Sequence, residues 1–230
     1  MGITNESFAL YRKLHNEKHI DFKQPIRVLE IGSQNVHISG FDYVTDCIKS
    51  FGFDDSVCKD FRHNMYMRNV HTALGHTYDS FDLDTADNQT IEIDLNQPVN
   101  MLNREMFNVC DLVTNHGTTE HLFNQSAVFE TMHDACKVGG IMVHVLPCIE
   151  PNHGLFCYSP VLFEALANYN DYELLVLSVM DPPNNNTSPS FYRSYNEADI
   201  KKNCYVYAAL KKTQAKDFEQ PSQVFKGGRK

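Results

Sequence analysis

Apolar residues in this chain gather in short runs that alternate with longer, mixed segments. Residues 26–31 and 141–147 are such runs, and turn-forming or small polar residues bound them. A short apolar run between turn residues is typical of a strand buried on both faces of a sheet. The mixed segments carry apolar residues at helical spacing, for example Phe8, Tyr11 and Leu14. Strands that alternate with helices predict an α/β fold with a largely parallel sheet covered on both faces.

This pattern predicts a single domain over residues 1–210. The predicted helices cover residues 7–19, 41–53, part of 54–76, 125–137 with a stop at Gly139-Gly140, and a segment beginning near Ser159-Pro160. The predicted strands cover residues 26–31, a stretch from about 77, the alternating stretch 89–98, the region around Leu112 and Val113, and residues 141–147, 173–179 and 204–210. Residues 54–76 are an insertion, either a lid over a ligand site or a helix packed on the outside. Residues 211–230 carry six basic and two acidic residues and predict a solvated, flexible tail.

The first strand ends at a turn that suits a bound ligand. Glu30 stands at its end, and Gly32 is where the chain can leave the sheet and start a helix. In open α/β sheets, ligands bind at the carboxyl ends of strands, and a glycine lets the backbone approach a bound molecule closely. We therefore predict that Glu30 accepts hydrogen bonds from an amine or from hydroxyls of a ligand.

Two further strands end in acidic residues. Asp82 follows the second strand, where a carboxylate can accept hydrogen bonds from both hydroxyls of a ribose, and Asp84 is the next choice. Asp94 and Leu95 end the third strand, where a carboxylate can accept the exocyclic amine of a base. Acids at strand ends also cap turns, so that alternative stays open. We predict that Glu30, Asp82 and Asp94 meet around one nucleoside-sized hollow.

Composition indicates the size and setting of the fold. A chain of 230 residues, of which 42% are hydrophobic, can bury one sizeable core. Its formal net charge of −9 argues against general nucleic-acid binding, because phosphate contact requires clustered basic residues. Its seven cysteines form no CxxC pair, so neither a disulfide framework nor a structural zinc site is expected. The sequence has no leader and no apolar stretch of membrane-spanning length, which predicts a cytoplasmic protein without membrane contact.

The order of these motifs resembles the class I S-adenosylmethionine-dependent methyltransferases. The family's first motif is similar to VLEIGSQ at residues 28–34, its second-strand acid to DSFDLD at 79–84, and its third motif to IEIDLNQP at 91–98. Its fourth- and fifth-strand signature is similar to CDLVTNHGTTEHLFN at 110–124 followed by CKVGGIMVHVLP at 136–147. Ser33, Gln34 and Asn35 stand where the first motif is usually richer in glycine. The runs HGTTEHLFN at residues 116–124 and NHGLFCYSPVLF at residues 152–163 also resemble a bacterial-type small-molecule or sugar methyltransferase subgroup.

The resemblance implies a Rossmann-like sandwich whose seven-stranded, mostly parallel sheet has an antiparallel last strand. It implies S-adenosyl-L-methionine as cofactor and methyl transfer to an oxygen or nitrogen of a small polar acceptor. It also implies cofactor-binding residues along the carboxyl edge of the sheet. These are Glu30 and Gly32 at the methionine part, Asp82 at the ribose, Asp94 and Leu95 at the adenine, Asn115 to Gly117 at the methyl-donor end, and Ser33 and Leu83 beside them.

Methyl transfer also calls for a proton acceptor, because the attacking group of the acceptor can carry a proton. Four histidines fall near the carboxyl ends of the fourth and fifth strands, and histidine titrates near neutral pH. We predict His121, His153 and His116 as catalytic candidates, against the alternative of packed or surface histidines. Glu120 either orients a neighbouring histidine or caps the next helix, and we favour the structural role. No metal site is predicted.

Two other functions stay open. A catalytically silent protein that binds S-adenosylmethionine or another nucleoside fits the glycine-poor first loop. An oxidoreductase that uses a nicotinamide dinucleotide fits the acid at the end of the second strand, although the GxGxxG pattern is absent. The sequence does not name the acceptor, and it leaves open whether the chain pairs with itself.

Overall fold

A computed structural model describes residues 2–38, 41–150, 152–181, 189–196, 198, 200 and 203–222. Within these ranges, no helix has both the length and the apolar character needed to cross a membrane. The seven cysteines are free thiols, and Cys157 is the exposed one among them.

One seven-stranded sheet forms the centre of the molecule. Its strands are β1 (Arg27–Ile31), β2 (Thr77–Asp82), β3 (Ile91–Glu92), β4 (Cys110–His116), β5 (Cys136–Ile149), β6 (Tyr172–Met180) and β7 (Cys204–Lys212). They lie in the order β3-β2-β1-β4-β5-β7-β6. Neighbouring strands from β3 to β5 are parallel, whereas β7 is antiparallel to both β5 and β6. The mostly parallel sheet with an antiparallel last strand is therefore confirmed.

Five α-helices of the described ranges accompany the sheet. They are α1 (Asn5–Asn16), α2 (Asp42–Ser50), α3 (Met67–Ala73), α4 (Gln125–Ala135) and α5 (Pro160–Asn170). Local signals determine where two of them begin. The side chain of Asn124 accepts the N–H of Ala127 at the start of α4. The side chain of Ser159 accepts the N–H of Val161 at the start of α5, where Pro160 fills the first helical position.

The helices cover both faces of the sheet because the central strands are apolar on both sides. In β1, Val28 packs in the core that contains α1, α2 and α3, and Leu29 packs in the core that contains α4 and α5. Leu112 and Val113 of β4 divide between the two cores in the same way. Burial of each such side chain stabilises the fold by about 1.5–3 kcal/mol relative to exposure. The short apolar runs of the sequence therefore correspond to the middle of the sheet.

Three element boundaries differ from the prediction. Asn115 and His116, which follow the strand predicted around Leu112 and Val113, extend β4 and pair with β5. Helix α4 ends at Ala135, so Gly139 is not its stop but lies in β5, beside an irregularity in the ladder between β4 and β5. The third strand is only two residues long, Ile91–Glu92. Alternation of apolar and polar residues continues past it, because Ile93 and Leu95 are also buried in the core.

More of the C-terminal segment packs against the domain than predicted. Lys212 lies in β7, and its Nζ donates to the carbonyl oxygen of His133 at 2.8 Å. Phe218 packs against the core on the α4 and α5 side, and the N–H of Glu219 donates to Asn170 Oδ1 at 2.8 Å. A flexible tail from residue 211 is therefore wrong for residues 211–222. Residues 223–230 of that predicted tail lie outside the described ranges.

Residues 54–76 hold a short 3-10 helix, Asp55–Cys58, and helix α3. The N–H of Met67 donates to the carbonyl oxygen of Gln34 at 2.9 Å, which joins this segment to the loop after β1. Val70 of α3 is buried in the core shared with α1 and α2. Helix α3 therefore matches the packed alternative, with its first turn next to the loop that follows β1.

Candidate functional site

A cavity of about 440 Å³ opens at the carboxyl ends of the parallel strands. The segments that follow β1 and β4 both line it, and the strand order reverses between these two strands. In open α/β sheets this switch point is where ligands bind, and the volume falls in the range of small-molecule sites. The lining residues are Ser33, Gln34, Asn35, His37, Phe81, Asp82, Leu83, Ile93, Leu95, Asn96, Gly117, Thr118, His121 and Leu122.

The turn at Gly32 brings the first loop close to the loop after β4. Gly32 has φ +81°, in the left-handed region that favours glycine, and its N–H donates to the carbonyl oxygen of Phe81 at 2.8 Å. A Cβ at this position would lie 2.1 Å from Thr118 Oγ1. The same hydroxyl oxygen accepts a hydrogen bond from Gln34 Nε2 at 3.0 Å. The absence of a side chain at Gly32 therefore allows the two loops to meet at the cavity wall.

Asp82 forms part of the cavity wall at the end of β2. Its Oδ2 accepts the N–H of Ser33 at 2.8 Å, and its Oδ1 accepts the N–H of Asp84 at 3.0 Å. A carboxylate offers about four acceptor positions, so both oxygens keep capacity for donors from a ligand. Leu83, which is 59% exposed, lies beside it in the wall. Asp84, the other candidate, is exposed and outside the cavity lining.

Glu30 lies beneath the first loop rather than in the cavity wall. It is 1% exposed, and its Oε2 accepts hydrogen bonds from the Tyr78 hydroxyl and from the N–H of Gln34, the latter at 2.9 Å. Burial raises the pKa of Glu30 to about 8, although both of those hydrogen bonds act in the opposite direction. Glu30 therefore does not line the cavity itself; it holds the backbone of Gln34, which does.

Asp94 is engaged in a turn. Its Oδ1 accepts the backbone N–H of Asn96 at 3.0 Å and the side-chain amide of Asn96 at 3.1 Å. The capping alternative therefore describes Asp94, while Leu95 is buried in the cavity wall. Of the three predicted carboxylates, Asp82 alone lines the cavity. The expectation that Glu30, Asp82 and Asp94 meet around one hollow is wrong, because two of them hold neighbouring backbone instead.

Asn115 and His116, at the end of β4, are fully buried on opposite sides of the sheet. Asn115 Nδ2 donates to Thr119 Oγ1 at 2.9 Å. His116 Nε2 forms a hydrogen bond with the Tyr11 hydroxyl at 2.8 Å, and its Nδ1 lies 3.3 Å from Ser7 Oγ. Burial lowers the pKa of His116 to about 3. This histidine is therefore neutral and packed beneath α1, away from the residues that line the cavity.

The other two predicted histidines lie together on a buried carboxylate. Glu120 is fully buried, and its Oε1 lies 3.3 Å from His153 Nε2 and 3.8 Å from His121 Nε2. The two imidazole rings are 5.2 Å apart, and His121 lines the cavity. Glu120 does not cap α4, a role that Asn124 fills. The predicted structural role of Glu120 is therefore wrong, and the alternative of orienting the histidines matches the geometry.

Sequence reasoning missed Gln34 and Thr118 as wall residues that join the two loops. It also missed the convergence of Glu120 with His153, which are 33 positions apart. The adjacent positions of Glu120 and His121 in the sequence were a weak indication of this cluster. What brings His153 to them is the backbone: the N–H of Leu155 donates to the carbonyl oxygen of Glu120 at 2.6 Å.

Three solved structures illustrate what this chain is similar to. TehB from Haemophilus influenzae is 14% identical, with a TM-score of 0.46 and coverage of 82% of this chain and 58% of that one. A SAM-dependent methyltransferase from Archaeoglobus fulgidus is 12% identical, with a TM-score of 0.48 and coverage of 89% and 95%. The 1,6-didemethyltoxoflavin-N1-methyltransferase of Burkholderia thailandensis, with bound 1,6-didemethyltoxoflavin and S-adenosylhomocysteine, is 11% identical, with a TM-score of 0.45 and coverage of 93% and 92%.

The chain therefore spans 58% of the length of the TehB structure. No protein-family model matches the sequence, and no curated protein matches it.

Proposed function

We propose that this protein transfers the methyl group of S-adenosylmethionine to an oxygen or nitrogen of a small polar acceptor, such as a sugar or a related metabolite. The observation that carries the proposal is the position of Asp82 in the wall of the switch-point cavity. A carboxylate at the end of the second strand can accept both hydroxyls of a ribose, as it does in dinucleotide folds. The sheet order, with its antiparallel β7, matches the arrangement that the resemblance implied.

In this proposal, different wall residues bind different parts of the cofactor. Asp82 accepts the ribose hydroxyls, and the apolar side chains of Leu83 and Leu95 contact the adenine. Gly32 and Ser33 take the methionine part, and Gly117 lies at the methyl-donor end. Glu30, Asp94 and Asn115 position these loops without touching the cofactor, because each holds a neighbouring residue and none of the three lines the cavity.

The chemistry is an in-line displacement at the methyl carbon. The bond from this carbon to the acceptor atom forms while its bond to sulfur breaks, and the electron pair of the broken bond stays on sulfur. Positioning of the two reactants supplies most of the rate. The acceptor's proton passes to the cluster of Glu120, His121 and His153, because His121 lines the cavity. His116 takes no part, since its ring is committed to Tyr11.

Ligand binding is the first test of this function. Isothermal titration calorimetry and thermal unfolding with S-adenosylhomocysteine, S-adenosylmethionine and NAD compare the cofactor classes directly. We expect the two sulfur compounds to bind and to raise the unfolding midpoint, because a ligand that binds only the folded protein stabilises it. Stabilisation by NAD alone would overturn the proposal.

Turnover is the second test. S-adenosylmethionine with a labelled methyl group is incubated with the protein and a fraction of small polar metabolites. We expect label in a small molecule, and a loss of about 10²–10⁴-fold in His153→Ala and His121→Ala at unchanged affinity for S-adenosylhomocysteine. His19→Ala is the matched control, because His19 Nε2 also faces a carboxylate, Glu17 Oε2, at 3.5 Å. This pair lies just after the end of α1. Binding without transfer of label would favour the catalytically silent alternative.

The setting of the reaction is part of the same proposal. Free cysteines throughout the chain suit a reducing compartment, so we assign the protein to the cytoplasm. Its partners are the cofactor and a small acceptor, and the formal net charge of −9 disfavours a general role on nucleic acid.

A further inference from the structure

We infer that Glu120, His121 and His153 form a binding site for one divalent transition-metal ion of the zinc class. The sequence predicted no metal, because the two histidines and the carboxylate are not spaced as a local motif. In the structure, one ligand atom from each of the three residues lies within 4.8 Å of the others. Two imidazoles and one carboxylate are the protein ligands of open catalytic sites for Zn²⁺ and for non-haem Fe²⁺.

The distances match those between ligands of a small ion. Bonds of ~2.1 Å at tetrahedral angles put neighbouring ligand atoms about 3.4 Å apart. Glu120 Oε1 is 3.3 Å from His153 Nε2 and 3.8 Å from His121 Nε2. The two histidine nitrogens lie within 4.8 Å of each other. Rotation of the two partly exposed histidine side chains, 29% and 51% exposed, would bring all three ligand atoms to one ion.

The carboxylate supplies an independent reason to expect a cation. Glu120 is completely buried, and its Oε2 has no hydrogen-bond partner among the described residues. A buried polar atom without a partner costs about 1–3 kcal/mol, and more when it carries charge. An ion held by Oε1 with a second bond to Oε2 would satisfy this atom, which the histidines do not reach.

The backbone around the cluster holds these ligands in place. Gly154 has φ +69°, and a Cβ there would lie 2.8 Å from Glu120 Cγ and 2.9 Å from the Glu120 carbonyl oxygen. The N–H groups of Leu155 and Phe156 both donate to that same carbonyl oxygen. The segment carrying His153 is therefore fixed against Glu120 independently of the two side chains.

The ligand set also selects the kind of ion. Imidazole nitrogen favours Zn²⁺, Co²⁺, Ni²⁺ and Fe²⁺, whereas Mg²⁺ and Ca²⁺ prefer sites built from oxygen. Three protein ligands leave at least one open position, and His121 lines the cavity. If the proposed methyl transfer is correct, the cluster would accept the acceptor's proton through a hydroxide on such an ion, because both histidines would then serve as ligands rather than as free bases. Binding of the ion itself does not depend on that function.

Metal titration tests the site without an activity assay. The full chain, without a histidine tag, is kept reduced, stripped with a chelator, and titrated with Co²⁺ while visible absorption is followed, and with Zn²⁺ in a calorimeter. We expect one ion per chain, no competition from Mg²⁺, and at least tenfold weaker binding in Glu120→Gln, His121→Ala and His153→Ala. His19→Ala should bind as the wild type does.

Several results would overturn the site. They are no Co²⁺ binding by folded wild-type protein, equal weakening in His19→Ala, or the intense near-ultraviolet band of cobalt–thiolate bonds, which would assign the ion to cysteines. If buried Glu120→Gln fails to fold, the two histidine variants carry the test at more exposed positions. Affinity for S-adenosylhomocysteine, measured on the same samples, separates failure of this site from failure of the proposed function.

Discussion

Asp82 Oδ2 accepts the backbone N–H of Ser33 at 2.8 Å. This hydrogen bond joins the end of β2 to the loop after β1, across 49 positions of sequence. The same carboxylate lines the cavity, so it both shapes the first loop and faces the space proposed for the cofactor. A substitution at Asp82 therefore changes both the hydrogen bond to the first loop and the cavity wall, and variants must separate these two effects.

Replacement of Asp82 by alanine should weaken the binding of S-adenosylhomocysteine by about 1–3 kcal/mol, because ribose hydroxyls lose their acceptor. Asp84→Ala is the matched control, since Asp84 is exposed and outside the cavity wall. Asp82→Asn retains one oxygen for the N–H of Ser33 and should fall between the two. Calorimetry at constant ionic strength gives the affinities. Equal affinity of wild type and a folded Asp82→Ala variant would refute the ribose assignment.

Gly32→Ala should destabilise the fold more than Gly75→Ala does. Both glycines have positive φ, +81° and +77°, so both changes carry the cost of a left-handed alanine, about 1–2 kcal/mol. At Gly75 a Cβ would meet nothing within 4 Å, whereas at Gly32 it would lie 2.1 Å from Thr118 Oγ1. Overpacking at Gly32 therefore adds about 1–3 kcal/mol. Urea unfolding of both variants measures the difference, and equal losses would show that the loops separate easily.

The sheet could be predicted from the sequence because its signal is local. Val28 and Leu29 face different cores, so β1 is an apolar run, and the turn at Gly32 follows from the residue itself. The end of β4 could not be predicted, because Asn115 and His116 look like turn residues. Both residues continue the strand because other parts of the chain satisfy their polar side chains. His116 bonds to Tyr11, which is distant in sequence, and Asn115 bonds to Thr119, which lies across the next turn.

The site was harder to predict than the sheet for a related reason. An acid at a strand end can face a cavity, as Asp82 does, or bind neighbouring backbone, as Asp94 does, and both are polar residues before a turn. The cluster of Glu120 and His153 depends on a backbone contact between two loops. Such contacts have no periodicity, so the sequence pattern indicates the histidines but not the carboxylate that they share.

Glu30→Gln should remove a pH dependence of stability. Burial raises the pKa of Glu30 from 4.5 to about 8, so between these values the folded protein holds a proton that the unfolded chain releases. The free energy of unfolding therefore falls as pH rises through this window, by up to about 1.4 kcal/mol per pH unit from this group. Glutamine does not titrate, so the variant should lack this contribution. Urea unfolding of both proteins at pH 5, 6, 7 and 8 tests it, and parallel profiles would contradict it.

His116→Gln should make the protein less sensitive to acid without changing the pH profile of turnover. Burial lowers the pKa of His116 from 6.5 to about 3, so below pH 6.5 the unfolded chain binds a proton that the folded protein does not. Stability from this group is therefore present above pH 6.5 and is lost as pH falls below it. Tyr11→Phe is the matched control, because it removes the hydroxyl at 2.8 Å from Nε2 but leaves the buried imidazole. We expect that control to lose about 1–3 kcal/mol while keeping the acid slope. A shifted pH profile of methyl transfer in folded His116→Gln would instead return this histidine to the catalytic candidates.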